Sequence, residues 1–248
     1  MPRDWDARTY DRIADPMTRW GAAVLDRLPL AGDERVLDAG CGSGRVTELL
    51  AERLPHGQVV ALDGSAAMVE AARERLAAFG DRIEYIVADL GEALPLEADV
   101  DAVLSTATFH WVADHDALFA NLAAVLRPGG RLVAQCGGVG NIASVQRVLA
   151  STGDGWLGPV HFETPMATVG RLDAAGFVDI ECWLTDEPTR FEPGEPFETY
   201  LRTVVLGAHL ERLPPDEHDA FVHEVASRLP EPLIDYVRLN IVARRSSR

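Results

Sequence analysis

Along the first half of the chain, short apolar runs of strand length alternate with longer segments whose apolar residues recur at helical spacing. Residues 36–39, 58–62, 83–88, 100–105 and 131–136 read as five strands. Helices are predicted from Arg45 onward, over 66–78 and over 116–126. Pro128, Gly129 and Gly130 stop the last of these and turn the chain into the fifth strand. Upstream, Met17, Trp20, Val24 and Leu28 fall at helical spacing, so an amphipathic helix precedes the first strand. Downstream, residues 166–175 read as a helix closed by Gly176, 177–184 as a sixth strand, and 236–243 alternate as a last strand. Strands joined through helices imply right-handed crossovers and a mainly parallel sheet, an α/β fold.

Two segments exceed what such a sheet needs. Residues 137–165 hold a short helix and a Gly/Pro-rich loop with Trp156, His161 and Phe162, and residues 193–231 read as two helices. No internal repeat or low-complexity linker separates them, so the 248 residues read as one domain. Its parts are a helical cover over 1–30, a cofactor-binding core over 31–136, and two insertions. Ligands of open α/β sheets sit at the carboxyl ends of the strands, so insertions there form a lid that selects the substrate.

The strand ends carry the chemistry. The first strand runs through Asp38 into Gly40-Cys41-Gly42-Ser43-Gly44 and a helix. Glycines there allow tight turning and bring main-chain amides close to a nucleotide-like ligand. The spacing is Asp-x-Gly-x-Gly-x-Gly, related to but distinct from the dinucleotide pattern G-x-G-x-x-G. The second strand ends in Asp63, whose carboxylate can accept both hydrogen bonds of a ribose diol. The third ends in Asp89-Leu90, an acceptor for an exocyclic amine and an apolar side chain to lie against the base.

This ordered set, from Val36 to about Val133, resembles the class I S-adenosylmethionine-dependent methyltransferases. Within them the chain is most similar to the trans-aconitate and juvenile-hormone-acid methyltransferase type. The grounds are residues 5–10, the turn Asp63-Gly64-Ser65-Ala66-Ala67-Met68, the turn Phe109-His110-Trp111-Val112, and Leu126-Arg127-Pro128-Gly129-Gly130. The resemblance implies a Rossmann-like doubly wound sheet of seven strands, with an antiparallel last strand at its edge and helical lid insertions. It implies S-adenosylmethionine as cofactor and S-adenosylhomocysteine as product. Gly40, Cys41 and Gly42 would then flank the methionine moiety, Tyr10 would touch it, and Asp38 would order the turn and nearby water. Asp63 and Gly64 would hold the ribose, Met68 and Leu90 would pack by the adenine, Asp89 would hold its amino group, and Thr106 would line the site. Where His110 stands, trans-aconitate enzymes are expected to carry Gln.

Composition narrows the partners. The formal charge is −16, from 39 acidic against 23 basic residues, and every basic residue is Arg. Such a field repels phosphate backbones and argues against nucleic acid. The chain also lacks the Asn/Asp-Pro-Pro-Tyr/Phe turn that amino-group methyltransferases acting on bases often carry. A small-molecule substrate is expected. Three widely spaced cysteines suggest no disulfide framework, and no apolar run suits a membrane span or leader, so a cytoplasmic protein is expected. The sequence does not determine the oligomeric state.

Methyl transfer is an in-line displacement that needs alignment and exclusion of water more than a strong acid. A carboxylate nucleophile needs no base at neutral pH, whereas a phenol, alcohol or enol needs one. His110 is the candidate for that base, against the alternative that it bonds backbone or fills the turn. Trp111 either walls the methyl channel or packs under the sheet edge. Arg19, Arg190 and Arg202 either anchor an acidic substrate or form surface ion pairs. Trp156, Phe162, Trp183, Phe197 and Tyr200 either line an apolar pocket or pack the core. His218 and His223 lack the spacing of a ligand pair, and no metal is expected. The reaction read from these residues is O-methylation of a carboxylate or hydroxyl, with C-methylation of a polyketide- or terpenoid-type metabolite as the alternative. Two other classes stay open: a nicotinamide-dependent oxidoreductase and a non-catalytic cofactor-binding module.

Overall fold

The computed structural model describes residues 15–96 and 99–247. The segment that holds Tyr10 lies outside the described residues. A first helix, α1 (Asp15–Leu25), leads to β1 (Arg35–Ala39), α2 (Arg45–Glu52), β2 (Gln58–Asp63), α3 (Ala66–Arg75), β3 (Ile83–Val87) and β4 (Val100–Thr106). A short 3-10 turn, Phe109–Trp111, precedes α4 (His115–Val125) and β5 (Leu126–Gly137). Then follow α5 (Ala143–Leu149), α6 (Pro165–Ala174), β6 (Phe177–Asp186), β7 (Thr189–Arg190), α7 (Glu195–Tyr200), a π-helical turn (Leu201–Val205), α8 (Gly207–Leu210), α9 (His218–Arg228), β8 (Leu233–Ile234) and β9 (Val237–Arg245).

The main sheet has seven strands in the order β3-β2-β1-β4-β5-β9-β6. β1 to β5 pair in parallel, and β9 runs antiparallel to both β5 and β6. The strand order reverses between β1 and β4, the switch point at which open sheets bind ligands. Apolar side chains leave the sheet on both faces, as a doubly wound fold requires. On one face Leu37, Val103 and Leu132 pack with Leu118, Phe119 and Leu122 of α4 and Leu172 of α6. On the other, Val36, Val59 and Val133 pack with Val24 and Leu25 of α1, Leu50 of α2 and Ala72 of α3.

A third apolar cluster lies outside this sandwich. It joins Trp20 of α1 to Val145 and Leu149 of α5, Phe197 and Tyr200 of α7, Leu206 and Leu210, and Val222 and Val225 of α9. Phe197 and Tyr200 therefore pack in a core.

Several expectations need correction. The last strand is antiparallel but is not the edge: β9 lies between β5 and β6, and β6 is the edge. Their burial patterns carry the reason. β9 is buried over Arg238–Ile241, whereas β6 alternates between partly buried and exposed positions as an edge strand can. The helix expected over 66–78 ends at Arg75, and a 3-10 segment, Ala77–Arg82, kinks at Gly80. The insertion read as two helices contains α7, the π turn, α8 and α9. A two-strand ribbon of β7 with β8 closes its ends. Strands this short show no period to read.

Candidate active site

The glycine turn is held from three sides. The amides of Gly40 and Cys41 both donate to the Leu62 carbonyl at the end of β2, at 2.8 and 2.9 Å. Thr108, just past β4, donates its hydroxyl to the Gly40 carbonyl at 3.3 Å. A Cβ added at Gly40 would stand 2.1 Å from Thr108 Oγ1, so this closest approach across the switch point requires glycine. Gly42 differs: its φ is 53°, in the left-handed region, yet a Cβ there meets nothing within 4 Å. The space beside its Cα is open, while its amide is held by Asp63. Thr108 was not singled out from sequence, because its role depends on the pairing of β1 with β4.

Asp63 sits at the end of β2 and accepts backbone N–H bonds from Gly42 on Oδ2 and from Ser65 on Oδ1, both at 2.9 Å. Those bonds favour the ionised form, but burial outweighs them and raises its pKa. Each oxygen keeps a second lone pair for a diol. Ser65 caps α3 by accepting the Met68 amide, and Met68 is buried. Asp89 accepts the Gly91 amide through Oδ1 at 2.9 Å, while Leu90 packs its side chain into the core against which α4 lies. Gly64 connects Asp63 to the capping Ser65, and Thr106 ends β4 opposite Gln135 of β5.

Asp38 is fully buried, with Oδ2 accepting from Thr47 Oγ1 at 2.7 Å, which ties α2 to the strand end. Its Oδ1 has no hydrogen-bond partner, and burial pushes the carboxyl up to about 7. A cation brought to the turn would favour the ionised form of this orphaned group. Burial also pushes the thiol of Cys41 well up, which suits a packing residue and not a nucleophile. A nucleoside carrying a positively charged amino-acid end fits what Asp38, Gly42 and Asp63 present.

Beside this turn lies a cavity of about 80 Å³. Ala107, the neighbour of Thr108, is part of its wall, with His110, Trp111, Tyr236 and Arg238 nearby in the lining. Ala107 holds a φ of 63°, a strained conformation for a residue with a side chain, and its amide donates to the Gln135 carbonyl at 2.7 Å. The rest of the lining is mostly apolar, with Trp20, Ile142, Leu149, residues 157–160, Phe162, Val204, Val205 and Ala208, and it also holds the polar side chains of Asn141 and His209.

His110 is buried, and its Nδ1 accepts the Gly137 amide at 3.3 Å. Accepting at Nδ1 places the proton of the neutral ring on Nε2. Burial, reinforced by the nearby positive charge of Arg238, holds its pKa well below the usual histidine value. Of the arginines expected as anchors, Arg190 pairs with Glu231 at 2.7 Å, Arg202 pairs with Asp219, and Arg19 is exposed. The arginine in the cavity wall is Arg238, which sequence reasoning missed. Trp111 and Phe162 line the cavity, whereas Trp156 meets His209 at a tilt of 53° with ring centroids 4.8 Å apart, and Trp183 lies under Arg27. Among the described residues no group of three or more His, Cys, Asp or Glu side chains could hold a metal ion, and no helix is long and apolar enough to cross a membrane.

The family described as a methyltransferase domain matches residues 36–130. A trans-aconitate 2-methyltransferase of Methylobacterium radiotolerans is 30% identical over 98% of this chain and 99% of its own length. One from Azoarcus is 32% identical over 88% of this chain and 86% of its own. Among solved structures, a phosphoethanolamine N-methyltransferase 2 of Haemonchus contortus in complex with S-adenosyl-L-methionine superposes with a TM-score of 0.63 at 23% identity, covering 98% of this chain and 57% of that one. The [4+2]-cyclase SpnF superposes at 0.61 with 19% identity, covering 92% and 86%, so the fold alone does not dictate the reaction. Sequence similarity that runs end to end with a methyl-transferring enzyme does bear on it, and by that measure the chain belongs to the class I S-adenosylmethionine-dependent methyltransferases, with trans-aconitate 2-methyltransferases among its relatives.

Proposed function

We propose that this enzyme methylates a carboxylate oxygen of a small organic acid. The observation that carries the reading is the state of His110. Its Nδ1 is taken by the Gly137 amide and the ring stays neutral, so neither nitrogen is a free base facing the cavity. A phenol, alcohol or carbon acid would need that base, whereas a carboxylate is already ionised at neutral pH. In this reading His110 donates from Nε2 to the acceptor. The relatives named for trans-aconitate support an acid as the acceptor.

The chain's own residues bind, orient and exclude water. Bound S-adenosylmethionine supplies an electrophilic methyl group on a sulfonium centre. Asp63 would accept from the ribose hydroxyls, Asp89 from the adenine amine, and the glycine turn with Asp38 and Cys41 would hold the amino-acid end. Gly64, Met68, Leu90 and Thr106 would complete the cofactor pocket, and Tyr10 would approach from the N-terminal segment. We assign α1 and residues 137–165 and 193–231 as the cover that keeps water from the methyl path, with Trp111 as part of its wall.

The reading predicts a flat pH profile. With cofactor and acceptor saturating, kcat should be constant between pH 6 and 9, because the acceptor is ionised and His110 neutral throughout. A rise approaching tenfold per pH unit would show a titrating base and contradict the reading.

A further inference from the structure

One loop runs along the cavity from one histidine to another. Residues 157–160 line the cavity, and so do His110 and His209. Just before that stretch the Trp156 carbonyl meets His209 Nε2 at 3.0 Å, and just after it the His161 amide donates to the His110 carbonyl at 2.8 Å. Residues 156–161 span at most about 17 Å of extended chain, so both rings come within reach of one medium-length molecule.

The two rings are fixed in opposite tautomers. His110 accepts at Nδ1 from the Gly137 amide, which leaves its proton on Nε2. His209 faces a carbonyl oxygen, which only accepts, so its Nε2 carries the proton and its Nδ1 a lone pair. Burial lowers its pKa, which keeps the ring neutral. One end of the loop thus presents a donor and the other an acceptor.

That acceptor is unused. His209 is 8% exposed, packs on Trp156 and, at 6.0 Å, on Phe221, and its buried Nδ1 has no hydrogen-bond partner. A buried acceptor in this state destabilises the fold unless a bound molecule donates to it. The other polar groups of the described lining differ. Asn141 Oδ1 accepts the Val237 amide at 2.9 Å, and the Tyr236 hydroxyl pairs with that of Tyr200 at 2.5 Å. Trp20 Nε1 also lacks a partner, but it is a donor. Arg238 and Asn141 stand at the His110 end: Arg238 lies opposite Gly137, and a Cβ at Gly137 would come 2.8 Å from Asn141 Nδ2. The chain neighbours Ala208 and Leu157 make the lining apolar next to His209 and Trp156, which suits a neutral hydroxyl and disfavours an ammonium group.

We propose that His209 Nδ1 accepts a hydrogen bond from a hydroxyl of the acceptor molecule, remote from its carboxylate, so that the enzyme selects hydroxy acids over plain acids of the same length. The carboxylate in this statement rests on the methylation proposed above; the hydroxyl contact does not.

The test uses the purified full chain with S-adenosylhomocysteine bound, titrated with straight-chain acids of six to ten carbons that end in a methyl, hydroxyl or methoxy group. Tryptophan fluorescence reads binding, since Trp156 packs on His209 and Trp20 and Trp111 lie in the wall. Methyl transfer from S-adenosylmethionine is measured in parallel. At one or more lengths the hydroxy acid should bind about 3–10-fold more tightly than the plain acid, the scale of one hydrogen bond. The methoxy acid keeps the oxygen but not the proton and should gain nothing. His209→Gln keeps an N–H in place of Nε2 and removes the Nδ1 acceptor, so the affinity ratio of hydroxy to plain acid should fall close to one. His209→Asn puts an amide oxygen near the Nδ1 position and should keep part of the preference. Far-UV dichroism and S-adenosylhomocysteine affinity report whether each variant folds, and the methoxy comparison stands without either. No hydroxyl preference at any length, an equal preference for methoxy, or a preference kept in full by folded His209→Gln overturns the proposal, and carboxylate methylation stands if the acids are methylated. A hydroxyl preference lost in His209→Gln with no acid methylated supports the contact and sinks carboxylate methylation. No acid bound at any length overturns both.

Discussion

Burial moves Asp38 and His110 in opposite senses, and each shift has a consequence for stability. The folded Asp38 carboxyl titrates at about 7 against a reference of 3.8, so between those values the folded chain holds a proton that the unfolded chain has released. Its contribution is complete below about pH 4 and is lost as pH rises through 7. His110 runs the other way: its pKa lies well below 6.5, so the stability of its neutral form is present above that value and is lost as pH falls. In the cofactor-free protein, Asp38→Asn should therefore gain on the parent by about 3 kcal/mol between pH 5 and pH 8, because about two pH units of the shift lie above pH 5. Urea unfolding of both proteins at the two pH values measures it. A difference independent of pH would mean that Asp38 does not titrate in this range.

At the scale of elements, the glycine turn separates two roles that look alike in sequence. Gly40 is where β1 meets Thr108, and Gly42 is where the space beside the Cα is open. Gly40→Ala should destabilise the fold by about 3 kcal/mol, combining steric overlap with a left-handed backbone. Gly42→Ala should cost only about 1 kcal/mol of stability and should weaken S-adenosylhomocysteine binding by at least about tenfold. Thermal unfolding with calorimetric titration distinguishes the two, and equal stability losses would contradict the assignment.

The same scale explains what could be read in advance. The turn, Asp63 and Asp89 were legible because each sits at the end of an apolar run, a local signal. Arg238 was not. Alternation places Arg238 and Asn240 on one face of β9 and Leu239 and Ile241 on the other. Whether a face is a cavity wall or solvent depends on β9 lying inside the sheet and on α1 crossing it, both non-local facts. Arg190 and Arg202 form the surface ion pairs that the sequence offered as the alternative to substrate anchors, since both roles use the same residue type. The dual identity of His110 could not be decided either, since its tautomer is set by an amide 27 positions away in sequence.

Over the whole molecule, a formal charge of −16 surrounds a cavity whose described lining is mostly uncharged. That outer field opposes the approach of an anionic acceptor and favours a cationic cofactor. Raising salt from about 20 to 200 mM shortens the Debye length to below 10 Å. It should then raise kcat/KM for the acid while weakening S-adenosylmethionine binding. Steady-state rates with each ligand varied in turn would show it, and parallel changes for both would argue that the net field does not steer them.

The fate of the transferred methyl group tests the central claim most directly. Incubated with methyl-labelled S-adenosylmethionine and an acid acceptor, the enzyme should yield a labelled ester that mild alkali converts to labelled methanol. Label that survives alkali as an ether or carbon-bound methyl group, or no transfer to any acid, would contradict carboxylate methylation.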